Sequence, residues 1–187
     1  MSRYTEKLIL ETFGEMLDEM PFDKITVSAL TRRSDISHNT FYYHYNDIYD
    51  LLAVWIRQKV SPYLNSERVY TDWESALTAM LRAWQKDERR IYHVFYSLSR
   101  EQLERHVFEQ TERFFVEQIG SLPGADKVSD DQLRKICDFA RYIFFGFLMR
   151  FLWNKMKDDV DREVRDMSVL LGSFIEHALT EAGEGKL

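Results

Sequence analysis

Apolar side chains return every three or four residues along most of this chain, which is the spacing of amphipathic helices. Over residues 4–20, Ile9, Phe13, Met16, Leu17 and Met20 share one face, while Glu6, Lys7, Glu11, Glu15, Asp18 and Glu19 fill the other. Pro21 closes this helix by restricting Met20 to extended geometry. Thr26 stands where an N-cap belongs for a short helix over residues 27–33. Residues 34–37 break the pattern, with Asp35 suited to the left-handed conformation of a tight turn. Ser37 caps a second short helix over residues 38–43. Asp47 caps a longer one that turns Ile48, Leu51, Leu52, Trp55 and Ile56 inward, with Pro62 marking its end or a kink.

Beyond residue 60 the same period predicts helices over residues 72–86, 87–98 and 100–119. A break at residues 120–124 follows, where Gly120, Pro123 and Gly124 cluster. Two long helices over residues 130–157 and 160–182 complete the chain, and residues 183–187 read as a frayed tail. The composition agrees: 45% of residues are hydrophobic, enough for a sizeable core, and 3 prolines and 7 glycines are too few for an all-β chain. The predicted fold class is all-α. A helix-turn-helix domain of three helices occupies residues 1–60, and a helical ligand-binding and dimerisation domain occupies residues 61–187.

Two short helices joined by a tight turn, at residues 24–52, are the informative feature. Helices of this length are not stable alone, and Ile25, Val27, Leu30, Ile36, Phe41 and Tyr45 are spaced to form the core that holds them. The outer face of the second helix is left with Ser37, His38, Asn39, Thr40, Tyr42, Tyr43 and His44, all hydrogen-bonding and none acidic. That is the chemistry of a helix that enters a major groove. Asn39 can pair with adenine, the Thr40 methyl can meet a thymine methyl, and Tyr42, Tyr43 and His44 can donate to phosphate oxygens.

With these residues in place, residues 25–52 resemble the signature of the tetracycline-repressor (TetR) family of transcriptional regulators, without a gap from Thr26 to Leu52. The resemblance implies that Thr26 and Ser37 cap the two helices and touch phosphate. It implies further that His38, Asn39 and Thr40 face bases, and that Tyr42, Tyr43 and His44 fasten the helix to the DNA backbone. Three positions depart from the family: Asp35 and Asn39 stand where glycine is usual, and Ile48 where lysine is usual. Gly146 followed by Trp153 resembles a branch related to dihydroxyacetone-kinase gene regulators. The function implied is a ligand-responsive repressor that binds a near-palindromic double-stranded DNA operator as a homodimer. The alternative is a module of the same fold that binds a protein partner and has weak or lost DNA affinity.

Charge sharpens that choice. The net charge is −6 and the pI about 5.4, so any DNA contact is local. Residues 1–60 hold seven Lys/Arg and nine Asp/Glu, a net −2, although phosphate neutralisation supplies much of DNA affinity. His93, His106 and His177 lack partners at metal spacing, no phosphate-binding glycine loop exists, and Ser97 and Ser99 have no nucleophile context. No enzyme activity, cofactor or metal is therefore expected. A single cysteine, Cys137, a start with no signal-like core and no membrane-length apolar run predict a cytoplasmic protein. Trp84, Tyr92, Phe95, Phe108, Tyr142, Phe145 and Met149 are the candidate lining of a small-molecule effector pocket. Residues 139–153 are apolar on almost every side, which suggests burial by a second subunit. The expected dimer contact is Phe144, Phe147, Leu148 and Phe151, with Met167, Leu170, Leu171 and Phe174 from the last helix.

Overall fold

The computed structural model describes residues 2–64 and 72–187. Among these residues there are nine α-helices and two 3-10 turns, and no strand. The chain divides into two compact units, one formed by Met1–Val60 with Lys86–Leu103, the other by Ser61–Gln85 with Glu104–Leu187.

In the first unit, α1 (Ser2–Glu19), α2 (Val27–Arg33), α3 (His38–His44) and the start of α4 (Ile48–Leu64) enclose one core. Ile9, Phe13 and Leu17 of α1, Leu30, Phe41, Leu51 and Leu52 are fully buried in it. Removing a side chain of this size from water contributes roughly 2 kcal/mol each. Phe13 anchors the centre, with Phe22 and Trp55 edge-on to it at centroid distances of 6.2 Å. The unit also takes α6 (Glu88–Phe95), which the sequence pattern had assigned to the second domain. Two polar contacts and an apolar edge explain the attachment. Arg90 grips Asp18 through two bonds of 2.8 and 2.5 Å. His93 Nδ1 donates to the Leu17 carbonyl at 2.7 Å, so it satisfies an otherwise unpaired group in the last turn of α1. Val94 and Leu98 enter the core beside them.

The second unit contains most of α5 (Trp73–Lys86), α7 (Arg100–Gly120) from Glu104 onward, α8 (Asp130–Trp153) and α9 (Val160–Gly183). The paired helices α8 and α9 form its centre, and Phe144, Phe145, Leu148, Phe151 and Leu152 of α8 and Val164, Met167, Leu171 and Ile175 of α9 are buried in it. Ser129 and Gln132 form a reciprocal capping box at the head of α8. Arg82 clamps Asp161 with two bonds of 2.7 and 2.6 Å, and Gln85 donates to the Met156 carbonyl at 2.7 Å.

Several borders differ from the periodicity. Helix α6 stops at Phe95 rather than at residue 98, and α4 runs through Pro62 to Leu64, with the proline in its last turn. Helix α8 ends at Trp153, not at residue 157, because the Met156 amide turns back to the Phe151 carbonyl and the Lys155 amide to Leu152. This is a Schellman closure, and it places Lys155 at φ 57° and Met156 at φ 51°. The tail is tied rather than frayed: Gln132 Nε2 donates to the carbonyls of Ala182 and Leu187.

Candidate nucleic-acid interface

The caps that the sequence marks fix the two short helices. Thr26 Oγ1 accepts the Ala29 amide at 3.2 Å, and Ser37 Oγ accepts the Thr40 amide at 3.0 Å. Ala on either cap would cost about 1 kcal/mol. Asp35 adopts φ 52°, and the Ile36 amide closes on the Thr31 carbonyl at 3.0 Å, so the turn between the helices is tight without glycine. Buried Leu30, Phe41 and Tyr45 hold the pair from inside, while Val27 and Ile36 are half-buried at its edge.

This arrangement presents one face of α3. Ser37, His38 and Asn39 are exposed, Tyr42 is 56% exposed and Tyr43 79%. The Asn39 side chain is exposed and makes no hydrogen bond to another described residue, so its amide is available to a base edge. His38 Nε2 lies 3.1 Å from Ser28 Oγ, a contact from α3 to α2 that orients the ring. Thr40 is half-buried and its hydroxyl lies 2.8 Å from Ser37 Oγ. His44 is half-buried between Tyr43 and Tyr45, with ring centroids 5.1 and 6.2 Å away.

Electrostatics around the face are mixed. Arg33 is occupied by Glu19 at 2.6 Å and Glu15 at 3.4 Å, and the hydrogen bond it donates to Glu19 is the main reason its guanidinium is held above its usual pKa. Arg32 and Arg57 are exposed and form no ion pair with a described residue. At the head of α4, Asp47 Oδ1 accepts the amides of Tyr49 and Asp50, both at 2.8 Å. Asp50 in turn accepts from the Asn46 amide and side chain, both at 3.0 Å. The amides that could greet a phosphate there are already taken by carboxylates. Ile48 is half-buried against the core, so it serves packing where a cation is usual. Asp47 is legible in the sequence as a cap, whereas the second carboxylate of this network, Asp50, and the exposed Tyr49 beside it carry no sequence signal of their own.

The residues expected to line an effector pocket are divided between the two units. Tyr92 and Phe95 belong to the first unit, where Tyr92 stacks on Tyr96 and Phe95 meets the same ring edge-on. Trp84, Phe108, Tyr142, Phe145 and Met149 belong to the second. There Phe108 and Tyr142 lie 4.7 Å apart, and the Arg141 guanidinium sits 4.3 Å from the Phe108 ring. A cavity of ≈ 220 Å³ in the second unit is lined by other residues, Trp73, Phe114, Phe115, Ile119, Phe144 and Leu171 among them.

The residues picked for a dimer contact fare unevenly. Phe144, Phe147, Leu148, Phe151, Met167 and Leu171 are enclosed by their own chain. Phe174 is half-buried and Leu170 is exposed. The apolar groups that α8 and α9 leave outside are Phe139, Tyr142, Ile143, Trp153, Val169 and Leu170. Among the described residues no group of three metal-ligating side chains occurs, and no helix is long and apolar enough to cross a membrane.

A family model described as transcriptional regulator C-terminal region matches residues 71–173. The HTH-type dhaKLM operon transcriptional activator DhaS of Lactococcus lactis subsp. lactis (strain IL1403) is 26% identical over 131 residues, covering 70% of this chain and 64% of that protein. The match thus spans somewhat less than two thirds of the relative's length. A solved structure described as dihydroxyacetone kinase operon activator DhaS superposes with a TM-score of 0.66 at 18% identity, over 92% of this chain and 97% of that one. The likeness to that structure is one of fold.

Proposed function

The chain belongs to the TetR family of transcriptional regulators, and from that premise we propose that it is a cytoplasmic, ligand-responsive regulator that binds double-stranded DNA as a homodimer. The observation that carries this reading is the α3 face: capped, held from inside, free of acidic groups and presenting His38, Asn39, Tyr42 and Tyr43 outward. In the proposed complex Asn39, His38 and the Thr40 methyl meet base edges. Ser37, Thr26, Tyr42, Tyr43 and His44 bind phosphates, with Arg32 supplying charge beside them. A two-fold dimer sets two such helices in successive major grooves roughly 34–36 Å apart, which requires a near-palindromic operator. A ligand held in residues 61–187, the proposed regulatory and dimerisation domain, alters operator affinity through its preference for one state of the dimer.

The sequence suggests a repressor, whereas the relative is an activator, and that likeness favours activation here. A reporter placed behind a selected operator decides the sign. DNA binding itself is tested by selecting sites from random duplexes and titrating the winner by anisotropy. Tyr42→Ala and His44→Ala should each weaken binding about tenfold, and affinity should fall steeply with salt. Unchanged affinity in both variants would mean that another surface reads the DNA. The carboxylates at the head of α4 and the net −2 of residues 1–60 favour one second reading, a protein-binding module. Absence of any salt-dependent DNA binding would select it.

A further inference from the structure

The ≈ 220 Å³ cavity of the second unit has a wall of one chemical character and a rim of another. Trp73, Phe114, Phe115, Phe144, Leu171 and Ile175 make the wall. A separate gap of ≈ 20 Å³ lies behind the same Trp73, Phe114, Phe115 and Phe144 rings. The rim holds Gln118, Ser121, Ser168 and Glu176. Both serine hydroxyls have already spent their hydrogens. Ser121 Oγ donates to the Gln118 carbonyl at 2.8 Å, and Ser168 Oγ donates to Glu74 at 2.5 Å. What they turn to a newcomer is lone pairs. Glu176 adds an exposed carboxylate whose side chain pairs with no described residue. No cationic side chain lines the cavity.

We propose that this cavity is a ligand site for a small ring-bearing amine, with the ring among Trp73, Phe114, Phe115 and Phe144 and the ammonium at Glu176 and the serine oxygens. Size sets the body of the ligand. A cavity of about 150 Å³ holds benzene, and drug-sized ligands need about 300 Å³ or more, so this one takes a single ring with a short arm or two fused rings. Charge sets the head group. A rim of acceptors with one unpaired carboxylate favours a donor cation and repels an anion, and aromatic faces attract a cation further. The assignment rests on the reading of residues 61–187 as the regulatory part of the protein.

Gly172 supplies the test. It lines the cavity on α9, and a Cβ built there meets no heavy atom within 4 Å. Gly172→Leu therefore adds bulk at a lining position without meeting packed atoms at its Cβ, and it improves helix propensity. Three probes share one ring system and differ in charge: tryptamine, indole and indole-3-acetate. Titrated calorimetrically into the full chain with no DNA present, tryptamine should bind at least about tenfold more tightly than indole-3-acetate, with indole between them. Glu176→Gln should weaken tryptamine and leave indole unchanged. Gly172→Leu should abolish binding of all three while keeping the helical circular dichroism and the melting temperature of the parent. Gly172→Ala, a smaller intrusion, should fall between. The site is wrong if no probe binds at millimolar concentration or if Gly172→Leu binds as the parent does. The amine preference is wrong if indole-3-acetate binds as tightly as tryptamine. Because the assay contains no DNA, failure of operator binding would sink the regulatory reading and leave this result standing.

Discussion

Tyr45 shows how one atom can set the behaviour of the reading head. Its ring is part of the core between α3 and α4, yet its hydroxyl is buried with no hydrogen-bond partner among the described residues. Burial, followed by the nearby carboxylates of Glu6 and Asp50, holds the phenol well above its usual pKa. The unfolded chain releases this proton near pH 10, whereas the folded chain keeps it. Stability therefore does not vary with this group's titration below pH 10 and falls as pH rises beyond that. Tyr92, pushed up to about 12 chiefly by burial, adds to the same alkaline decline. Tyr45→Phe removes the orphan group and keeps the ring. Urea titrations should show the variant more stable by about 1 kcal/mol at pH 7, with a shallower decline between pH 10 and 11. A less stable variant would reveal that the hydroxyl has a partner after all. The sequence marked Tyr45 as core from its spacing, but spacing says nothing about whether a buried hydroxyl finds a partner.

At the scale of elements, the caps made the reading head legible. Thr26, Ser37 and Asp47 announce their helices by local chemistry, and α2 begins and ends where the pattern places it. The differences lie where local chemistry is silent. Helix α6 joins the first unit through Arg90 to Asp18 and His93 to the Leu17 carbonyl, pairings some 70 residues apart that no periodicity reveals. The end of α8 was hidden because Lys155 holds a left-handed position usually announced by glycine, while Met156 continues the apolar pattern and packs inside. A lysine there costs about 1 kcal/mol relative to glycine. Lys155→Gly should raise the urea midpoint by an amount matching that figure, and Lys155→Val should lower it. Equal midpoints for all three would mean that the turn is not strained.

At the scale of the whole molecule, the question is what covers α8 and α9. A helix apolar on every side is buried on every side, but the sequence does not divide those sides between the chain's own core and a partner. The structure makes the division: Phe147, Leu148 and Phe151 are internal, while Phe139 and Trp153 remain 63% exposed on α8 and Leu170 69% exposed on α9. Phe139, Tyr142, Ile143, Gly146, Arg150 and Trp153 follow helical spacing, so the exposed apolar groups form a stripe rather than a scatter. A stripe of this length on a water-facing helix marks an interaction surface, and the proposed homodimer buries it against its copy, since a two-fold contact uses the same patch twice. Phe139→Glu combined with Leu170→Glu places like charges in that contact. The double variant should sediment as a monomer at micromolar concentration with its helical signal intact, and it should lose most of its affinity for a two-half-site operator, because each head then binds alone. Phe151→Glu, by contrast, buries a charge inside one chain and should unfold it. A double variant that remains dimeric would move the interface off this stripe, and a parent that sediments as a monomer would remove the dimer from the proposed mechanism.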